Sequence, residues 1–136
     1  MVNYKIEVIE GIDTVTTEKL KNVGITTFEL LLENTKTKNQ RKELSEKTEI
    51  DESLILRFSN MVDLSRICGI GEKYSELLEL SGVDTIVELS QRDSDNLFIK
   101  ISEVNEEKDL TRKLPTLSQV EKWISDAKVL PRMLEY

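Results

Sequence analysis

Shifted by 58 positions, the sequence lies on itself. IEGIDTVTTEKLKNVGITTFELL (9–31) aligns with ICGIGEKYSELLELSGVDTIVEL (67–89), and eight of the 23 columns are identical: Ile9/Ile67, Gly11/Gly69, Ile12/Ile70, Glu18/Glu76, Leu20/Leu78, Gly24/Gly82, Thr27/Thr85 and Leu31/Leu89. Chance pairing gives about one or two, so the chain builds one supersecondary piece twice. The match resumes between LILRFSNMVDL (54–64) and VEKWISDAKVL (120–130) at an offset of 66, which leaves about eight extra residues in the middle of the second copy.

Each copy reads alike. An apolar-Gly-apolar turn precedes a helix that stops at Gly24 or Gly82, the residue type suited to a left-handed position just past a helix end. A second short helix then opens on Thr26 or Thr27 in the first copy and on Asp84 in the second, side chains that accept from a helix's first N–H groups. Further on, Asp51 precedes Leu54, Ile55, Phe58, Met61 and Val62 at helical spacing, and Ser94 opens DNLFIKISEV. Thr116 caps a last helix whose Leu117, Val120, Ile124 and Ala127 form one apolar stripe, and Pro131 ends it. Only NYKIEVI (3–9) alternates like a strand, too short and too alone to make a sheet. The expectation is an all-α chain of two pseudo-repeats, residues 1–64 with a short extended N-terminus and residues 65–136 with a C-terminal helix, packed as one domain or as two closely apposed ones.

Composition narrows the chemistry. The 136 residues are 38% apolar and 33% charged with 2 Pro and 5 Gly, a helix-forming mixture poor in breakers. The complete absence of histidine removes Ser-His-Asp and Cys-His nucleophiles and every His-ligated metal site. Cys68 has no second cysteine to pair with, and neither base nor soft ligands accompany it, so neither a catalytic thiol nor a metal site is expected. No carboxylate pair stands out as general acid and base. The chain reads as a non-enzyme without metal or cofactor. The charged opening MVNYKIEVIEG lacks a secretory apolar region and no apolar run reaches a membrane span, so a reducing, cytoplasmic setting without membrane insertion is expected.

The pattern apolar-x-Gly-apolar-Gly, followed by a helix ending in Gly-(Ile/Val)-x-Thr, resembles the helix-hairpin-helix module of DNA repair and recombination proteins. The stretches KNQRKELSEKTEIDESLILRFSNMVDLSRICGIGEKYSELLELSGVDTIVEL and VNEEKDLTRKLPTLSQVEKWISDAKVLPRMLEY resemble the domain of unknown function 4332 family, whose members pair two such modules. The helix-hairpin-helix resemblance implies that backbone N–H groups of the turn at Gly69, Ile70 and Gly71 meet a DNA phosphate, with Lys73 adding a point charge. It also implies that carbonyls of such a turn can hold a monovalent cation. Physically, a helix start attracts an anion through its N–H groups and its dipole, while Glu72 at the same spot opposes one. The plainer use of these glycines is a sharp interhelical turn against which Ile70 packs. In the first copy Asp13 replaces the second glycine, and an N-cap there is favoured over a phosphate.

A second candidate is KTKNQRKELSEK (36–47), locally +3, in which Lys36, Lys38, Arg41 and Lys42 supply a basic stripe and the last three share a helical face. It reads either as a track for backbone phosphates or as an ordinary solvated face. Trp123 neighbours the apolar stripe and is read as a core anchor rather than a stacking platform. Two classes of function stay open. One is a non-catalytic, sequence-independent DNA-binding module; the other is a protein-interaction module with structural hairpins, favoured by a net charge of −7 and suited to a basic partner.

Overall fold

The computed structural model describes residues 3–9 and 11–136; Met1, Val2 and Glu10 lie outside it, and with them the first two residues of the expected extended N-terminus. The chain is all-α. Its helices are α1 (Thr14–Asn22), α2 (Phe28–Glu33), α3 (Lys38–Thr48), α4 (Glu52–Leu64), α5 (Glu72–Leu80), α6 (Ile86–Ser90), α7 (Ser94–Lys108) and α8 (Leu117–Val129). No helix among the described residues is long and apolar enough to cross a membrane.

Two compact units divide the chain. The first runs to Asp63 and takes back Arg132–Tyr136; the second is Leu64–Pro131. The C-terminal segment thus belongs with the first unit and not, as the repeat suggests, with the second. Three contacts explain this: Leu134 is buried in the first core, Glu135 N–H donates to Lys36 O at 2.7 Å, and Tyr136 Oη donates to Asn60 Oδ1 at 2.9 Å.

In the first unit Ile6, Leu20, Leu31, Leu32, Ile55, Phe58 and Val62 meet in one core. The alternating stretch 3–9 is not a strand. Lys5 makes an isolated antiparallel bridge to Thr27, and Ile6–Val8 then winds into a 3-10 turn. That winding sends Ile6 and Ile9, three apart, into the core and leaves Val8 40% exposed; a strand's period of two would have separated the two isoleucines. In the second unit α8 packs on α6 and α7, and α7 on α5, around Leu64, Ile67, Leu78, Leu97, Val120 and Trp123.

Both copies turn in the same way. Helices α1 and α5 each end in a Schellman motif: Gly24 N–H reaches Lys21 O and Ile25 N–H reaches Leu20 O, while Gly82 N–H reaches Glu79 O and Val83 N–H reaches Leu78 O. The glycines stand at φ +85° and +90°, and the accompanying apolar pairs Leu20/Ile25 and Leu78/Val83 are buried. The second helix of each copy is capped by the equivalent threonine, Thr27 accepting from Leu30 N–H and Thr85 from Glu88 N–H. Asp84 is therefore not the cap; it hydrogen-bonds Glu88 and, with burial adding, holds that carboxyl above its usual range. Asp93 rather than Ser94 caps α7, accepting from Asn96 N–H. Thr116 caps α8 in a full capping box with Gln119.

The extra residues of the second copy have a definite place. Helix α7 has 15 residues where α3 has 11, and the connection 109–116 replaces the short link 49–51.

Because an L side chain at positive φ costs about 1–2 kcal/mol, Gly24→Ala and Gly82→Ala should each lower the unfolding free energy by about 1 kcal/mol or more. Urea denaturation followed by circular dichroism measures it. An unchanged midpoint for both would contradict the Schellman assignment.

Candidate functional site

The turn before α5 sorts its residues by direction. Ile70 N–H donates to Ile67 O at 3.1 Å, and Gly69 takes φ +92°, as the third position of a type II turn demands. Ile67 and Ile70 go into the core, while Cys68, Gly69 and Gly71 face solvent. A Cβ on Gly69 would sit 3.3 Å from Trp123 Nε1, so the indole lies directly against the turn. Trp123 itself is 2% exposed and packs beside Tyr74 with ring centroids 5.4 Å apart. It is a core anchor, as its neighbours in the sequence suggest.

Gly71 differs from its neighbour. It is the N-cap of α5 at φ −101°, a conformation open to any residue, and a Cβ there would meet nothing within 4 Å. Neither backbone nor packing requires glycine at this point, and the position offers no side chain to cap α5. Beside it lies a concavity of about 290 Å³ lined by Gly69, Gly71, Lys73, Tyr74 and Thr111. Of the residues singled out by sequence, Gly69, Gly71 and Lys73 therefore share one surface, whereas Ile70 is buried beneath it.

The first copy makes the same turn differently. Ile12 N–H donates to Ile9 O, and Gly11 stands at φ +84°. Asp13 caps α1 at the position of Gly71, accepting from Thr16 N–H at 2.7 Å. This hydrogen bond, chiefly, holds the Asp13 carboxyl below its usual range. Against Gly11 lies Arg57, its Nη1 3.0 Å from where a Cβ would stand. Arg57 and Trp123 are equivalent under the offset of 66, so the same slot holds a cation in one copy and an indole in the other. The aligned segments contained that signal; nothing in the sequence indicated that Thr111, about forty residues from the turn, completes the second concavity.

A family model, Domain of unknown function (DUF4332), matches residues 10–130. The chain belongs to the DUF4332 family. No curated protein and no solved structure matches it. The matched range of this DUF4332 chain begins within the first turn and takes in the whole of the second.

The basic stripe does not exist as one face. Arg41 is only 4% exposed; its guanidinium donates to Thr35 O at 2.8 Å, to Lys36 O at 3.4 Å and to Glu135 O. Lys36 turns to Glu33 at 3.5 Å, and Lys38 and Lys42 are left on the solvent side. The spacing 38, 41, 42 placed three cations within one sector of a helix, but Arg41 sits at its inner edge, where main-chain carbonyls supply a planar guanidinium with matching acceptors.

Arg41→Met leaves those carbonyls without their donor, and should cost about 3 kcal/mol; Lys38→Ala and Lys42→Ala should stay within about 0.5 kcal/mol. Thermal melts of the three variants test this, and equal stability of all three would contradict the buried role. The Asp13 cap makes a pH-dependent contribution. A depressed carboxyl stabilises fully above its unfolded value of 3.8 and loses that contribution as pH falls below it through the folded value. Asp13→Asn, which keeps a capping oxygen, should flatten this part of the acid-stability profile; an identical profile would contradict it.

Proposed function

We propose that the chain is a non-catalytic nucleic-acid-binding protein made of two helix-hairpin-helix modules, of which the second holds a backbone phosphate. The observation that carries this reading is Gly71. A glycine that no dihedral and no contact demands, at the start of a nine-residue helix, lets an anion come as close to the main chain as a side chain would otherwise allow only to itself. The helix dipole favours the anion there, and Lys73 on the same concavity adds a positive charge. The first module lacks this freedom, because Asp13 places a carboxylate at the corresponding point.

Such contacts position a nucleic acid without reading its sequence, so binding is modest and sequence-independent. The competing reading, a protein-interaction module facing a basic partner, draws on the net charge of −7. Both fit a setting in which Cys68 stays reduced.

Titration of labelled duplex and single-stranded DNA, first at about 50 mM and then at about 200 mM salt, separates the two. Phosphate contacts must weaken steeply over that range. Gly71→Asp, which copies the first module's cap, should abolish binding and keep the fold. Absence of binding at the lower salt sinks the nucleic-acid reading, and binding that survives Gly71→Asp moves the contact elsewhere.

A further inference from the structure

The longer connection of the second unit, residues 109–116, is pinned at nearly every residue. Asp109 closes α7 in the left-handed conformation, its N–H donating to Asn105 O at 2.7 Å. The Asn105 side chain then brackets the chain: Oδ1 accepts from Leu110 N–H and Thr111 N–H at 3.0 Å each, and Nδ2 donates to Thr111 O at 3.1 Å. Thr111 Oγ1 pairs with the main chain of Lys113, and Tyr74 Oη donates to Lys113 O at 2.9 Å. Pro115 is buried, and Thr116 opens α8 in its capping box.

The side chains of Asp109, Arg112, Lys113 and Leu114 are left out of this fastening. Arg112 and Lys113 are exposed, and among the described residues neither side chain makes an ion pair or hydrogen bond. Three other lysines of this acidic chain meet carboxylates, Lys21–Glu7, Lys36–Glu33 and Lys122–Asp126, while Lys38 and Lys42 on α3 face solvent as this pair does. Here two adjacent cations ride on an ordered loop whose Thr111 lines the same concavity as Gly71 and Lys73. The loop's main chain is already ordered, so a ligand that met Arg112 and Lys113 would need to order only their side chains.

We infer that the connection 109–116 is a second phosphate contact, through which Arg112 and Lys113 hold the nucleic-acid strand whose backbone lies at Gly71. This rests on the nucleic-acid reading of the glycine turn and extends it. It gives the extra residues of the second copy a role: they add a basic wall to the turn that carries glycine, and the copy whose turn carries Asp13 has only the short link 49–51.

The test uses the full chain, a labelled DNA duplex and anisotropy titrations across a salt series. Arg112→Ala/Lys113→Ala should weaken binding about tenfold or more at low salt, and should reduce the slope of log K against log salt by about 1.8, the share of two phosphate contacts. Both side chains are exposed, so circular dichroism melts should match the parent. Gly71→Asp run alongside separates the two claims. If it abolishes binding while the double variant keeps the parent's slope, the loop contact is overturned and the glycine turn stands. If it binds normally while the double variant's slope falls, the loop is a phosphate contact and the turn is not. A parent that binds no DNA overturns both.

Discussion

The second unit hangs on one backbone hydrogen bond, Ile70 N–H to Ile67 O, and on the left-handed Gly69 that makes it possible. That bond reverses the chain within four residues, so two isoleucines reach the core while the atoms between them stay outside. Trp123 closes over the turn from α8 and Tyr74 packs on Trp123. Tyr74 in turn reaches Lys113 O. The turn, the last helix and the long connection are therefore one mechanical chain. A side chain at Gly69 would disturb all three, through its dihedral and through its approach to the indole.

The duplicate separates what the turn needs from what it permits. Both copies keep the left-handed glycine, the Ile-to-Ile hydrogen bond and the Schellman ending, so these belong to architecture. The copies differ at the helix start, Asp13 against Gly71, and at the residue lying on the turn, Arg57 against Trp123. A capping aspartate stabilises α1 by itself; α5 begins without that side-chain cap. Glycine in place of a capping aspartate costs only about a few tenths of a kcal/mol, so α5 starts at Gly71 with little loss of stability and with its first N–H groups clear of a carboxylate.

Much of the fold was legible because its signals are local. Glycine at a Schellman position, threonine with Gln or Glu three residues on, and apolar residues at helical spacing each report a geometry fixed within a turn or two. Where two capping residues stand side by side, as Asp84-Thr85 and Asp93-Ser94 do, the choice depends on which phase buries Ile86 and Leu97, and the local signal is silent. Glu49 and Asp109 close α3 and α7 at φ +59° and +50°, a conformation that neither residue type announces. Arg41 departs from the pattern of its helix for a related reason. Its charge indicated solvent, but its partner Glu135 is 94 residues away, and no periodicity carries that information. The candidate site divides along the same line: Gly69, Gly71 and Lys73 are neighbours in sequence, whereas Thr111 joins them only through folding.

The acidity of the chain decides what kind of contact can hold a polyanion. At about 0.01 M salt the Debye length is about 30 Å and an approaching strand feels much of the negative charge; near 0.1 M it is about 10 Å and only local groups matter. Long-range attraction of the sort that guides strongly basic proteins to DNA is therefore closed to a molecule of net charge −7. What remains is short-range. Main-chain N–H groups at a helix start are donors that carry no net charge, and they act only at hydrogen-bond distance. Cations on an ordered loop add to them without changing the sign of the whole surface. On the proposed reading, the helix start at Gly71 and the exposed Arg112 and Lys113 of the connection that follows Thr111 would let an acidic protein hold phosphate at close range while repelling it from afar.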